Sequence, residues 1–291
     1  MKRDLMIAVA VGALLLAGLG TFVWSRSHDG GSSDDALLGE ARSGGVTVEL
    51  AEPVRNVAIT GTAAAGRPIV LIDPGHGGRD PGASGVSATT VEKELTLALA
   101  RELRDRLANG GRVRVAMTRD GDDTLTLEQR ADIARRIGAT LFISIHMDSA
   151  PNPAARGATV YSLSDVASDA EAARFAMAEN SAGGQLSSDR DASVRSLLAD
   201  LALREQMTDS AALASRLVES GKNGVLLRPE PHKFAAFHVI RRSQVPGVLF
   251  EAGYLSNTED EAMLLRPEGR KTIVAALANA LEAQASILRA R

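Results

Sequence analysis

Ile69-Val70-Leu71-Ile72-Asp73-Pro74-Gly75-His76-Gly77-Gly78 is the stretch on which the fold turns. A short apolar run feeds straight into a glycine-rich turn that carries one histidine. The run reads as a buried strand. The turn puts His76 at the strand's C-terminal end, where open α/β sheets usually keep their chemistry. Glycine there lets the backbone pass close to a metal or ligand with no Cβ in the way. The chain has five histidines and no cysteine, so each histidine can be weighed individually.

Outward from that strand, short apolar runs alternate with helical periodicity. Strands are expected at 69–72, 113–118, 141–145, 158–163 and 248–251. A helix is expected over 91–108, where Leu95, Leu99, Leu103 and Leu107 recur every four residues. Further helices are expected at 127–137, at 259–265 and 271–288, and as two or three segments within about 168–220. Alternating strands and helices imply an α/β fold: a single mixed, mostly parallel twisted sheet flanked by helices on both faces.

Three strand ends carry polar residues that a core would not favour: Asp73 to His76, then His146-Met147-Asp148, then Glu251. Glu92 adds a fourth group at a helix start. Singly, each has an ordinary explanation. A strand-end histidine is often structural, Glu92 suits the positive end of a helix dipole, and Glu251 could pair with an arginine. Together they suggest a site, since two histidines and a carboxylate with an open position for water form a common catalytic zinc centre. Without cysteine, any zinc must be held by N and O ligands. Asp73 and Asp148 read as turn residues or as carboxylates that orient ligands. His232 and His238 match no ligand pattern and read as structural or surface residues, and His28 has no evident role.

Four segments, in this order and spacing, resemble the motifs of the type-3 zinc-dependent N-acetylmuramoyl-L-alanine amidases. They are Ile72-Asp73-Pro74-Gly75-His76-Gly77-Gly78-Arg79-Asp80-Pro81-Gly82-Ala83, Glu92-Lys93 before a helix, Ser144-Ile145-His146-Met147-Asp148-Ser149, and Glu251-Ala252-Gly253-Tyr254-Leu255-Ser256-Asn257. The resemblance spans residue 68 to the C-terminus. It implies that His76, Glu92 and His146 hold Zn2+ and that Glu251 is the catalytic carboxylate. The implied reaction is hydrolysis of the amide between N-acetylmuramic acid and the L-alanine of the peptidoglycan stem peptide. Met147 and Ala252 depart from the family's usual residues, and neither departure removes a ligand. A zinc carboxypeptidase-like amidohydrolase and a non-catalytic cell-wall binding protein are the competing readings.

Residues 167–180 read as an Ala-rich helix, with Ser168 as cap and Glu171 closing a capping box. Ala172, Phe175 and Ala176 form an apolar stripe, and Glu179 falls on the same face. The region resembles the inserted helix of Gram-negative cell-separation amidases, which covers the active site and places a glutamate at the open zinc position. Glu179 is the matching residue, and the autoinhibitory segment would cover about 167–185. The resemblance implies release by a LytM-domain activator, with residues 183–188 as a hinge.

The remaining expectations concern the N-terminal region. Lys2 and Arg3 precede a nearly unbroken apolar stretch over 5–24, about long enough to cross a ~30 Å hydrocarbon core. Residues 1–26 read as a signal anchor, with a cleaved signal peptide as the alternative. That implies a periplasmic catalytic domain tethered to the inner membrane. Residues 27–66 read as a flexible Gly/Ser/Asp-rich linker, and 67–291 as the catalytic domain. A net charge of −3 with no basic, aromatic-interleaved stripe gives no case for nucleic acid.

Overall fold

The computed structural model describes residues 57–61, 66–182 and 194–290. The chain divides into two units, Met1–Ala51 and Glu52–Arg291, and all described residues belong to the second. The expected anchor, most of the expected linker and the hinge at 183–188 lie outside the described residues. Among the described residues, no helix is long and apolar enough to cross a membrane.

The strands are β1 (Ile59–Thr60), β2 (Ile69–Pro74), β3 (Arg114–Met117), β4 (Leu141–Asp148), β5 (Ala158–Leu163), β6 (Leu227–Ala235) and β7 (Gly247–Tyr254). They form one sheet in the order β1-β3-β2-β4-β7-β5-β6. Strands β3, β2, β4 and β7 run parallel, as do β5 and β6. The pairs β1–β3 and β5–β7 are antiparallel. The sheet is thus mixed and mostly parallel, as expected. β2 and β7 are buried at every position and β4 at all but its last, because both faces are covered.

The helices are α1 (Glu92–Gly110), α2 (Leu127–Arg136), α3 (Ala170–Ala182), α4 (Val194–Gly221), α5 (His238–Ser243), α6 (Thr258–Leu265) and α7 (Pro267–Ala290). On one face, Leu99, Leu103 and Leu107 of α1 join Leu213 of α4 and Leu277 and Leu281 of α7 over Val70, Ile72, Ile143 and Phe250. On the other, Ile133 of α2, Ala172 and Ala176 of α3 and Ile240 of α5 cover Leu71, Phe142, Tyr161 and Leu249. Each fully buried leucine contributes roughly 1.5–3 kcal/mol, so α1 is fixed by its leucine stripe. Gly111, at φ 64°, ends that helix in the left-handed conformation that glycine adopts without strain.

Four elements depart from the sequence expectation, among them the short helix α5, in a stretch where no element was expected. Ile59–Thr60, inside the range read as linker, pairs with β3 as an edge strand. β6 carries Pro229 and Pro231, which hide its strand character and suit its place at the other edge. The cap of α3 is Asp169 rather than Ser168: its Oδ1 accepts from Ala172 N at 2.8 Å. Glu171 makes no capping box and instead pairs with Arg228 (2.7 Å) and Lys233. Two cations on β6 outcompete the local backbone for that carboxylate.

Candidate metal centre and catalytic carboxylate

The C-terminal ends of three adjacent parallel strands and the start of α1 meet at one point. β2 delivers His76 just beyond its end, β4 delivers His146, and β7 delivers Glu251, which is in register with His146. Side chains in register on neighbouring strands share a face. The ladder shifts between His146 and Asp148, an irregularity of the kind that re-aims side chains beside active sites. Gly75 is required by close approach, since a Cβ there would overlap the His146 ring.

Four donor side chains converge. His76 Nε2 lies 3.0 Å from Glu92 Oε2 and 3.2 Å from His146 Nδ1. His146 Nδ1 lies 3.2 Å from Glu92 Oε1 and 3.4 Å from Glu179 Oε2. The outer ring nitrogens are engaged elsewhere: His76 Nδ1 with Asp80 Oδ2 at 2.8 Å and His146 Nε2 with Ser144 Oγ at 3.1 Å. Ser144 donates to Asp73 Oδ2 at 2.8 Å, so it accepts from the histidine. These partners assign the ring protons to the outer nitrogens and leave lone pairs facing inward.

The inward cluster therefore consists of acceptors, and acceptors crowded this closely require a cation between them. Ligand atoms ~2.0–2.1 Å from a tetrahedral zinc stand ~3.3 Å apart, close to the spacings found here. Without a metal, protons on the histidines supply that positive charge. Burial opposes a charge on His76, yet hydrogen bonds to Asp80 and Glu92 outweigh it and raise its pKa to about 10. Burial likewise opposes ionisation of Glu92, but hydrogen bonds from His146 and His76 hold its pKa well below the usual carboxylate range. The residues present fit a metal ion: His76, His146 and Glu179 each offer a ligand atom, all within 4.8 Å of one another, and Glu92 lies against both histidines.

Glu251 sits apart from this cluster. It is fully buried, and neither carboxylate oxygen has a side-chain hydrogen-bond partner; the Asp148 backbone N–H is near enough only to lower its pKa slightly. Burial, then the charges of Asp148, Glu92 and Glu179, push its pKa well above the ordinary value. It lines a cleft of about 320 Å³ with His76, Glu92, Asp148, Phe175 and Glu179. Asp148, also largely buried, has its pKa raised to about 6.

A model of the family described as N-acetylmuramoyl-L-alanine amidase matches residues 70–283. The chain belongs to the N-acetylmuramoyl-L-alanine amidase family. AmiA of Salmonella typhimurium is 37% identical over 217 residues, covering 73% of this chain and 74% of that protein. AmiA of Escherichia coli is 36% identical over 219 residues, covering 74% and 75%. Among solved structures, the catalytic domain of the amidase CwlV from Bacillus (Paenibacillus) polymyxa var. colistinus superposes with a TM-score of 0.51. The two are 26% identical over 74% of this chain and 96% of that one.

Within this amidase-family fold, the five residues singled out from the sequence come together: His76, Glu92, His146 and Glu179 in mutual contact, and Glu251 in the lining of the adjoining cleft. Two supporting residues escaped sequence reading. Asp80 orients His76, although Asp73 and Asp148 were the carboxylates expected in such a role; the only hint was its place four residues on, in the glycine loop. Arg130 of α2 donates to Asp73 Oδ1 (2.6 Å), Pro74 O (2.9 Å) and His76 O (2.6 Å), clamping the loop from below. Asp73 acts through Ser144, and the Arg130 charge overcomes burial to keep it ionised. His232 bonds Ser162 Oγ at 2.9 Å, while the backbone N of His238 donates to Asn180; neither approaches the cluster.

Proposed function

We propose that this chain hydrolyses the amide between N-acetylmuramic acid and L-alanine in peptidoglycan, with zinc held by His76, Glu92 and His146 and with Glu251 as the proton-transferring carboxylate. The convergence of inward-facing acceptors, their outer nitrogens already engaged, carries the reading. Zinc bound there would polarise the scissile carbonyl and lower the pKa of a water from 15.7 to about 7. Asp80 and Ser144 fix the two imidazoles in the ligating tautomer. The oxygens of Glu92 are held by Ala83 N (2.8 Å) and Met147 N (2.9 Å), so this carboxylate cannot swing away. Glu251 takes the proton of the attacking water and delivers it to the departing alanine nitrogen as the C–N bond breaks. A carboxyl with a raised pKa suits both halves of that transfer.

The proposal extends to regulation. Glu179 completes the donor set from α3, which lies over the cleft, and its carboxylate takes the position that water needs. In this reading the enzyme rests closed until a LytM-domain partner displaces α3, and it acts in the periplasm during cell separation, tethered through residues 5–24. Digestion of purified peptidoglycan tests the reaction. Zinc-loaded Glu179→Ala protein, freed of the resting block, should release stem peptides with a free L-alanine amine, detected by mass, and the same variant after chelation should release none. Release of glycan or peptide fragments cut elsewhere would refute the bond assignment.

A further inference from the structure

Glu251 has a neighbour in the same unsatisfied condition. Thr159 of β5 is in register with Glu251 of β7 across their antiparallel pair. Its side chain is fully buried, and its Oγ1 has no hydrogen-bond partner. A donor and an acceptor, each orphaned, thus face the same side of the sheet from directly opposed positions. Opposed residues in an antiparallel pair hold their Cβ atoms roughly 4.5–5.5 Å apart, so a side-chain rotation suffices to join them. Buried polar groups are rarely left unpaired, and those that are call for a functional or structural explanation.

We propose that Thr159 is a positioning residue: its hydroxyl donates to one Glu251 oxygen in the working enzyme and leaves the other oxygen for the water proton. The inference rests on Glu251 being the catalytic carboxylate. Without this bond the glutamate has no side-chain hydrogen-bond partner among the described residues. α3 lies over the same side of the sheet, with Phe175 against the Tyr161 ring two residues along β5, centroids 5.0 Å apart. Displacement of α3 would open the space in which Glu251 can turn to meet Thr159. The bond would therefore form in the open enzyme, coupling assembly of the catalytic carboxylate to uncovering of the site.

The test compares Thr159→Val with Thr159→Ser, in the parent chain and in a Glu179→Ala background so that a resting block does not mask turnover. Valine keeps the shape and removes the hydroxyl; serine keeps the hydroxyl. The expected result for valine is kcat lower by about ten- to a hundredfold, the weight of a hydrogen bond to a charged group, with KM and zinc content unchanged. Its melting temperature should equal or exceed the parent's, since an unsatisfied buried hydroxyl has gone. Serine should keep at least half the parental kcat. Unchanged kcat in Thr159→Val, equal loss in both variants, or loss of zinc from the valine variant would overturn the proposal. Glu251→Gln separates the two readings: full activity in that variant overturns the role of Glu251 itself, whereas an inactive Glu251→Gln beside a fully active Thr159→Val overturns only the role of Thr159.

Discussion

His76 adopts φ 59°, a left-handed conformation that costs a non-glycine residue roughly 1–3 kcal/mol. Arg130 on its carbonyl and Asp80 on its ring hold it there. Asp80→Ala should therefore weaken zinc binding about 10- to 100-fold, measured by competition with a chromophoric chelator. Glu251→Gln should retain zinc and lose hydrolysis. Its stability should also change in a defined direction. The folded state binds the Glu251 proton more tightly than the unfolded chain, so metal-free protein loses stability as pH rises above 4.5 towards the raised value. The glutamine variant escapes that loss. Its melting temperature should exceed the parent's at pH 7, and the gap should close near pH 4. His76, His146 and Glu251 were legible because each is a polar residue where an apolar run stops, and Glu92 because it opens a helix. Asp80 and Arg130 were not, because their roles exist only once the glycine loop folds back and α2 docks beneath it.

α3 is held at both ends. Near its start, Glu171 pairs with Arg228 and Lys233; at its far end, Asn180 donates to Ala236 O at 2.8 Å and accepts from His238 N at 2.8 Å. Its fully or nearly buried residues are the small ones, Ala172 and Ala176, and its main apolar anchor is the partly buried Phe175, packed on the rings of Tyr161 and Phe237. The proposed resting block predicts that Glu179→Ala raises hydrolysis of purified peptidoglycan without a partner, and that Asn180→Ala does so to a lesser degree. Variants no faster than the parent would remove the case for autoinhibition. The stripe that places Glu179 on the covering face could be read from spacing alone. The true cap could not, since choosing between Ser168 and Asp169 depends on β6 drawing Glu171 away. β6 itself was hidden because its prolines mark an edge strand only after the sheet has formed.

The whole fold gathers the site onto β2, β4 and β7, the innermost strands, while β1 and β6 occupy the rims. The parallel core was legible because doubly covered strands are apolar throughout; the rims were not, since edge strands carry mixed sequence. Zinc binding only to the folded state should stabilise it, by ~4 kcal/mol at a free concentration a thousandfold above Kd, so chelation should lower the melting temperature reversibly. The placement on inner strands has a temporal consequence. Amides of residues 141–147 and 248–252 should exchange with deuterium only when the molecule unfolds globally, whereas those of 172–181 should exchange through local opening, orders of magnitude sooner. Under the proposed reading, α3 and its Glu179 come and go many times over the lifetime of the group formed by His76, Glu92 and His146.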